Sequence, residues 1–193
     1  DGMAHATLKL NDDVRRGTPG AARGVSPVEP VSAGVRVDKM PRGWRLTSRQ
    51  FVPAAREEVF PFFVDAHNLE EITPSSLRFN VLTPRPIEMR EGVRIEYRLR
   101  IRGVPVRWKT VIPVWEPPVR FVDRQVRGPY RLWVHEHTFE EVDGGTVLGD
   151  TVDYDIVGGP LAPIAERLFV RRDVIGIFEY RRRWIAERFG GDG

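Results

Sequence analysis

The stretch VRFVDRQVRGPYRLWVHEHTFEEVDGGTVLGDTVDYDI, residues 119–156, decides the fold. It holds three alternating runs parted by two turn signals, Gly128-Pro129 and Asp143-Gly144-Gly145. Gly supplies positive φ and Pro presets φ near its turn value, so both turns follow from backbone sterics. In the middle run Trp133, His135, His137 and Phe139 share one face at period two, while Tyr130, Leu132, Val134, Glu136 and Thr138 take the other. A face that mixes Trp and Phe with two His is neither a plain core face nor a wet one. It suits the wall of a cavity that holds a partly apolar ligand.

Outward from this stretch, the same period runs upstream. Ile95, Tyr97, Leu99 and Ile101 alternate with charged residues, which predicts a half-buried antiparallel strand turned by Gly103. The next strand puts Val106, Trp108, Thr110, Ile112 and Val114 on one face and is turned by Glu116-Pro117-Pro118. A short strand at 79–83 completes a six-stranded meander. Before it, residues 44–52 read as a strand closed by Pro53. A short helix then carries Glu57 and Glu58 in its first turn, where carboxylates favour the helix dipole. Pro61 is expected to kink or end that helix, and Asp65 to cap a second short helix.

Downstream the period changes. From 160 to 189, Leu161, Ile164, Ala165, Leu168, Ile175, Phe178, Ile185 and Phe189 recur at helical spacing. Continuous, such a helix spans roughly 40 Å and needs a curved sheet to lie in. Ile175 and Phe178 are expected to be buried against that sheet. Residues 1–43 are Pro-, Gly- and Arg-rich and read as a flexible arm, with Val31, Val35 and Val37 as places where it could touch the domain. The expected organisation is an arm at 1–43 and a single ligand-binding domain at 44–193.

Composition narrows the function classes. With 193 residues, 41% hydrophobic and 10% aromatic, the chain has enough apolar material for a core. Cysteine is absent, which removes disulfides, thiolate metal sites and a cysteine nucleophile. No secretory signal or membrane-spanning run is read, so a cytoplasmic protein is expected. Only three of the 30 basic residues are Lys, and the Arg are interleaved with 27 acids to a net charge of +3. That mixed-sign surface does not point to nucleic acid. Arg171-Arg172 and Arg181-Arg182-Arg183 read first as cover for apolar surface paired with Glu179 and Glu187, and second as a transient contact with anionic membrane headgroups. His5 and His67 read as solvated or capping residues. No phosphate-cradling loop, nucleophile elbow or zinc-protease helix is present, so no cofactor is expected.

The order strand, two short helices, six-stranded meander, long C-terminal helix resembles the helix-grip fold of the START and birch-pollen-allergen (SRPBCC) superfamily. The residues that carry the likeness include Trp115 with Pro117-Pro118 and Phe121, then Asp123-x-Gln125 and Gly128-Pro129-Tyr130. They continue as Trp133-x-His135-x-His137-x-Phe139, Gly144-Gly145-Thr146, Asp150-x-Val152-x-Tyr154 and Ile177-Phe178-x-Tyr180-Arg181. They are similar to the polyketide cyclase/dehydrase and lipid-transport branch.

The resemblance implies an α+β fold in which a curved sheet of about seven strands wraps the last helix. It also implies a cavity that binds a small hydrophobic or amphipathic molecule of lipid, polyketide or quinone type. Tyr97, Trp108, Thr110, Trp133, His135, His137, Phe139, Asp150, Val152 and Tyr154 are the expected cavity-facing residues. The alternative is a polyketide aromatase/cyclase or dehydratase with His135 or His137 as general base. Across the Gly128-Pro129 turn, Gln125 is set opposite Trp133 and Asp123 opposite His135, where the carboxylate can fix the ring's tautomer. Two His at i,i+2 alone are a weak metal signal. A third ligand such as Asp123 or Asp150 would be needed, and no metal is expected from the pair itself.

Overall fold

A computed structural model describes residues 34–191. Eight strands form one antiparallel sheet in the order β1-β2-β8-β7-β6-β5-β4-β3. They are β1 (Val35–Lys39), β2 (Trp44–Val52), β3 (Asn80–Val81), β4 (Arg94–Ile101), β5 (Val104–Glu116), β6 (Arg120–Arg127), β7 (Tyr130–Val142) and β8 (Gly145–Ile156). The six-stranded meander is β3 to β8, and β2 closes on β8 from Trp44↔Tyr154 to Val52↔Thr146. Register shifts between β5 and β6 at Lys109/Thr110 and Val111/Val114 bend the sheet.

The sheet has one strand more than expected. Val35–Lys39, inside the expected arm, pairs with Trp44–Ser48 as an edge hairpin, so the boundary at 43/44 falls within the sheet. Gly43 makes this turn: its φ is 71°, and a Cβ there would strike the carbonyl of Tyr154. Residues 1–33 of the expected arm, with Val31 and His5, lie outside the described residues.

Between β2 and β3 the chain forms helix α1 (Arg56–Val64) and two 3-10 turns, Ala66–Glu70 and Ser75–Leu77. Pro61 does not end α1, which runs three residues further. Phe62 stacks on Trp184 at 4.9 Å and Phe63 meets Phe139 edge-on at 5.3 Å. This packing outweighs the one backbone hydrogen bond that proline removes. Asp65 does cap the next turn, accepting from the His67 backbone N–H at 2.9 Å, but that turn is 3-10.

The C-terminal helix is continuous in path and irregular in pitch. It passes from a 3-10 turn (Gly159–Leu161) through the four-residue α2 (Ala162–Ala165) and a π turn (Glu166–Val170) into α3 (Arg171–Phe189). From Val174 onward it buries Val174, Phe178, Arg181, Arg182 and Ile185. Phe178 is buried as expected, while Ile175 is only half-buried and Val174 takes the inner place. The first part departs further from the sequence reading: Leu161, Ile164 and Leu168 are 67%, 57% and 58% exposed. The change of pitch rotates these residues off the face that α3 presents to the sheet.

Three clusters make the core. One joins Trp44, Leu46, Val152 and Tyr154 to Val174 and Phe178. A second joins Val52, Val59, Phe60, Phe139 and Leu148 to Ile185, and a third lies under the 3-10 turns around Ala66, Ile95 and Tyr97. α3 packs on β2 and β8 through Val174 and Phe178, and the cavity lies beside that contact, between α3 and strands β4 to β7.

Candidate functional site

The cavity encloses about 650 Å³ between the sheet, α3 and the 3-10 cover, within the range that small-molecule sites occupy. Its lining runs from buried His135 and His137 at the inner end to exposed Arg102, Gly103 and Arg172 at the other. Tyr97, Trp108 and Trp133 form an aromatic wall, with Trp108 and Trp133 edge to face at 5.3 Å. Among the expected cavity-facing residues, Tyr97, Trp108, Trp133, His135 and His137 line it, as does Asp123.

Thr110, Phe139, Asp150, Val152 and Tyr154 do not. Thr110 is buried and donates to Asp123 Oδ1 at 3.4 Å. Phe139 is packed on Phe60 and Phe63. Val152 belongs to the core with Leu46. Tyr154 stacks on Trp44 and donates to Glu166 Oε1 at 2.9 Å. Asp150 lies behind the two imidazoles.

The inner end is built by three adjacent strands. His135 and His137 alternate with Val134 and Glu136 on β7, so the pleat turns both rings inward with Trp133 and Phe139. β6 sets Asp123 opposite His135, as read from the turn; its ladder ends at Arg124. Gln125 instead closes the turn, its side-chain amide donating to the Tyr130 carbonyl and accepting from the Tyr130 N–H. β8 sets Asp150 opposite His137.

The short contacts run diagonally. His135 Nε2 lies 2.7 Å from Asp150 Oδ1 and His137 Nε2 lies 3.1 Å from Asp123 Oδ2. Asp123, expected as the partner of His135, is therefore the nearer carboxylate of His137. The two imidazoles are tilted by 35° with centroids 3.7 Å apart, Phe121 stacks on His137 at 4.3 Å, and Phe178 meets His135 edge-on at 5.3 Å.

These neighbours set the charges. Burial, reinforced by His137, lowers the pKa of His135 to about 4, against the pull of Asp150 and Asp123. Burial also opposes charge on His137, but hydrogen bonds to both carboxylates outweigh it and raise its pKa. Burial alone would push Asp150 up; hydrogen bonds from both imidazoles and the Arg181 charge hold it well below the usual carboxylate range. Asp123 is lowered on the same balance.

Two arginines belong here that the sequence reading placed on a solvent-facing or headgroup-facing surface. Arg181 and Arg182 are 7% and 5% exposed. Arg181 NH1 lies 3.4 Å from Asp150 Oδ1, and its buried Nε has no hydrogen-bond partner among the described residues. Arg182 donates to the Arg49 carbonyl at 2.6 Å. Arg171 pairs with Glu166, not with the acids of its own helix further on. The signal was available: 178, 181, 182 and 185 follow helical spacing, so the stripe that buries Phe178 and Ile185 carries both Arg inward. The 3-10 cover, with Ala66, Leu69, Leu77 and Phe79 on the cavity, had no comparable periodicity.

No family model and no curated protein matches the chain. Solved structures do. Protein Ms6760 from Mycobacterium smegmatis aligns over 80% of this chain and 96% of its own at TM-score 0.59 and 20% identity. A START superfamily protein from the same organism aligns over 75% and 96% at TM-score 0.57 and 11% identity. Major latex-like protein 151 from Panax ginseng covers 75% and 96% at TM-score 0.56 and 13% identity. At these identities the likeness is one of fold: an open antiparallel sheet gripping a long C-terminal helix.

Proposed function

We propose that the chain binds one small amphipathic molecule, of lipid, polyketide or quinone type, in the cavity between sheet and α3. The observation that carries this reading is a cavity of about 650 Å³ with an aromatic wall, ending on the buried side chains of His135, His137 and Arg181. An oxygen at the polar end of a ligand would meet the imidazoles and Asp123 at that inner end. The apolar body would lie along Tyr97, Trp108 and Trp133. No helix among the described residues is long and apolar enough to cross a membrane.

Native mass spectrometry of detergent-free protein should show a co-purified small-molecule mass or one-to-one uptake of a fluorescent fatty-acid probe. Exchange of His135 and His137 together for Gln should change the probe's affinity while the circular dichroism stays that of the wild type. Neither a bound mass nor probe uptake would end the reading. Both imidazoles line the cavity, which also favours a second reading, acid/base chemistry on a poly-β-keto chain. Conversion of a bound β-polyketone, seen as loss of water, would favour that reading over a carrier.

A further inference from the structure

We infer that Asp123, His135 and His137 form a site for one divalent transition-metal ion of the zinc class, opening onto the cavity, with Asp150 holding both imidazoles from behind. The inference uses the cavity's geometry and is independent of what organic ligand fills it.

Each imidazole presents one nitrogen to each carboxylate. On the cavity side, His135 Nδ1 and His137 Nε2 face Asp123 Oδ2 at 3.5 and 3.1 Å. On the far side, His135 Nε2 and His137 Nδ1 face Asp150 Oδ1 at 2.7 and 3.3 Å. Two neutral rings carry two N–H groups, and one arrangement spends these protons on the hydrogen bonds from His135 Nε2 to Asp150 and from His137 Nε2 to Asp123. If those protons instead sit on the nitrogens facing Asp150, two lone pairs converge on the Asp123 oxygen. A cation at that convergence point would take both lone pairs together with the carboxylate charge.

The spacing fits. Bonds of about 2.0–2.1 Å in a four-coordinate site set neighbouring ligand atoms roughly 3.3 Å apart. The two contacts to Asp123 Oδ2 bracket that separation, and the three residues' ligand atoms all lie within 4.8 Å of one another. The surroundings are those of a held site. Asp150 takes the outer nitrogens, Arg181 balances Asp150, and Thr110 donates to Asp123 Oδ1, leaving Oδ2 for the ion. Two imidazoles and one carboxylate select zinc, cobalt, nickel or copper over magnesium or calcium. Three protein ligands leave a coordination position, and it faces the cavity that Asp123, His135 and His137 all line.

The test uses untagged full chain stripped with chelator. Calorimetric titration with Zn²⁺ should give one ion per chain, and Co²⁺ should show the visible bands of a four- or five-coordinate centre, displaced by Zn²⁺. Asp123→Asn, which keeps the side chain's shape, and His137→Gln should each weaken Zn²⁺ binding by at least about 100-fold. Asp150→Asn should weaken it roughly 10- to 100-fold with the Co²⁺ bands retained, the signature of a positioning residue. Absence of saturable Zn²⁺ binding, or unchanged affinity in Asp123→Asn, overturns the inference. If His137→Gln fails to fold, Asp123→Asn decides alone. Absence of Zn²⁺ binding by the wild-type chain with probe uptake intact would sink this inference and leave the ligand reading standing, and the reverse result would do the opposite.

Discussion

Two carboxylate clusters lie against the C-terminal helix, and they are finished differently. Glu166 is 1% exposed and accepts from Tyr154 Oη at 2.9 Å and from Arg171 at 2.9 and 3.2 Å. One anion, one cation and one hydroxyl leave nothing unmatched. The second cluster joins Asp123, Asp150, His135, His137 and Arg181; both imidazoles and Asp123 line the cavity, and Arg181 Nε has no hydrogen-bond partner among the described residues. Phe178 touches both, meeting the His135 ring and sharing a core with Tyr154. A buried polar group that is fully matched holds the fold together, while one left incomplete at a cavity wall is available to a ligand.

Removing the residue common to both is the harshest way to break this contrast. Phe178→Ala should cost about 3–5 kcal/mol, and a melting temperature within about a degree of wild type would mean the two clusters do not share a packed partner. Next comes the matched cluster alone. Glu166→Gln should destabilise by about 1–3 kcal/mol, because charge-assisted bonds to Tyr154 and Arg171 weaken in a dry site; denaturant titration reads it.

Alkaline pH probes the same cluster. Burial, then Glu166, raises the pKa of Tyr154, and burial, then Asp173, raises that of Tyr130. A group with a raised folded pKa lends stability that is full below its unfolded value and is lost as pH rises above it. Stability should therefore fall above the ordinary tyrosine range, with the tyrosinate absorbance of these two residues appearing together with unfolding, not before it. The smallest effect belongs to the open cluster. Asp123→Asn should cost about 1 kcal/mol, since the amide keeps an acceptor oxygen while the charge-assisted bond to His137 is lost. A larger drop would show that this cluster is as structural as the other.

Much of the frame was legible in the sequence. Period two in 94–101 and 130–142, with the turns at Gly128-Pro129 and Asp143-Gly144, gave the meander, and parity carried both His inward with Trp133 and Phe139. The Asp123–His135 register followed from turn length. Strand β1 was hidden because Val35–Lys39 is short and sits among Pro, Gly and Arg, where only pairing with β2 makes it a strand. The burial of Arg181 and Arg182 was signalled by the helical stripe, but their partners, Asp150, Ser48 and Arg49, were hidden because they lie 31 to 134 residues away. The diagonal His–Asp contacts depend on rotamers, which no periodicity encodes.

The π turn at Glu166–Val170 has a consequence for sequence alignment. One residue of α-helix amounts to about 100° of rotation, and a π turn holds roughly one residue beyond the α pitch. A helix-grip protein whose last helix is α-helical throughout should therefore align with this chain only if a one-residue gap opens within 166–170. Without that gap, every position upstream would be compared with a residue on a different side of the helix, and Glu166 would be matched to a position that never faces Tyr154.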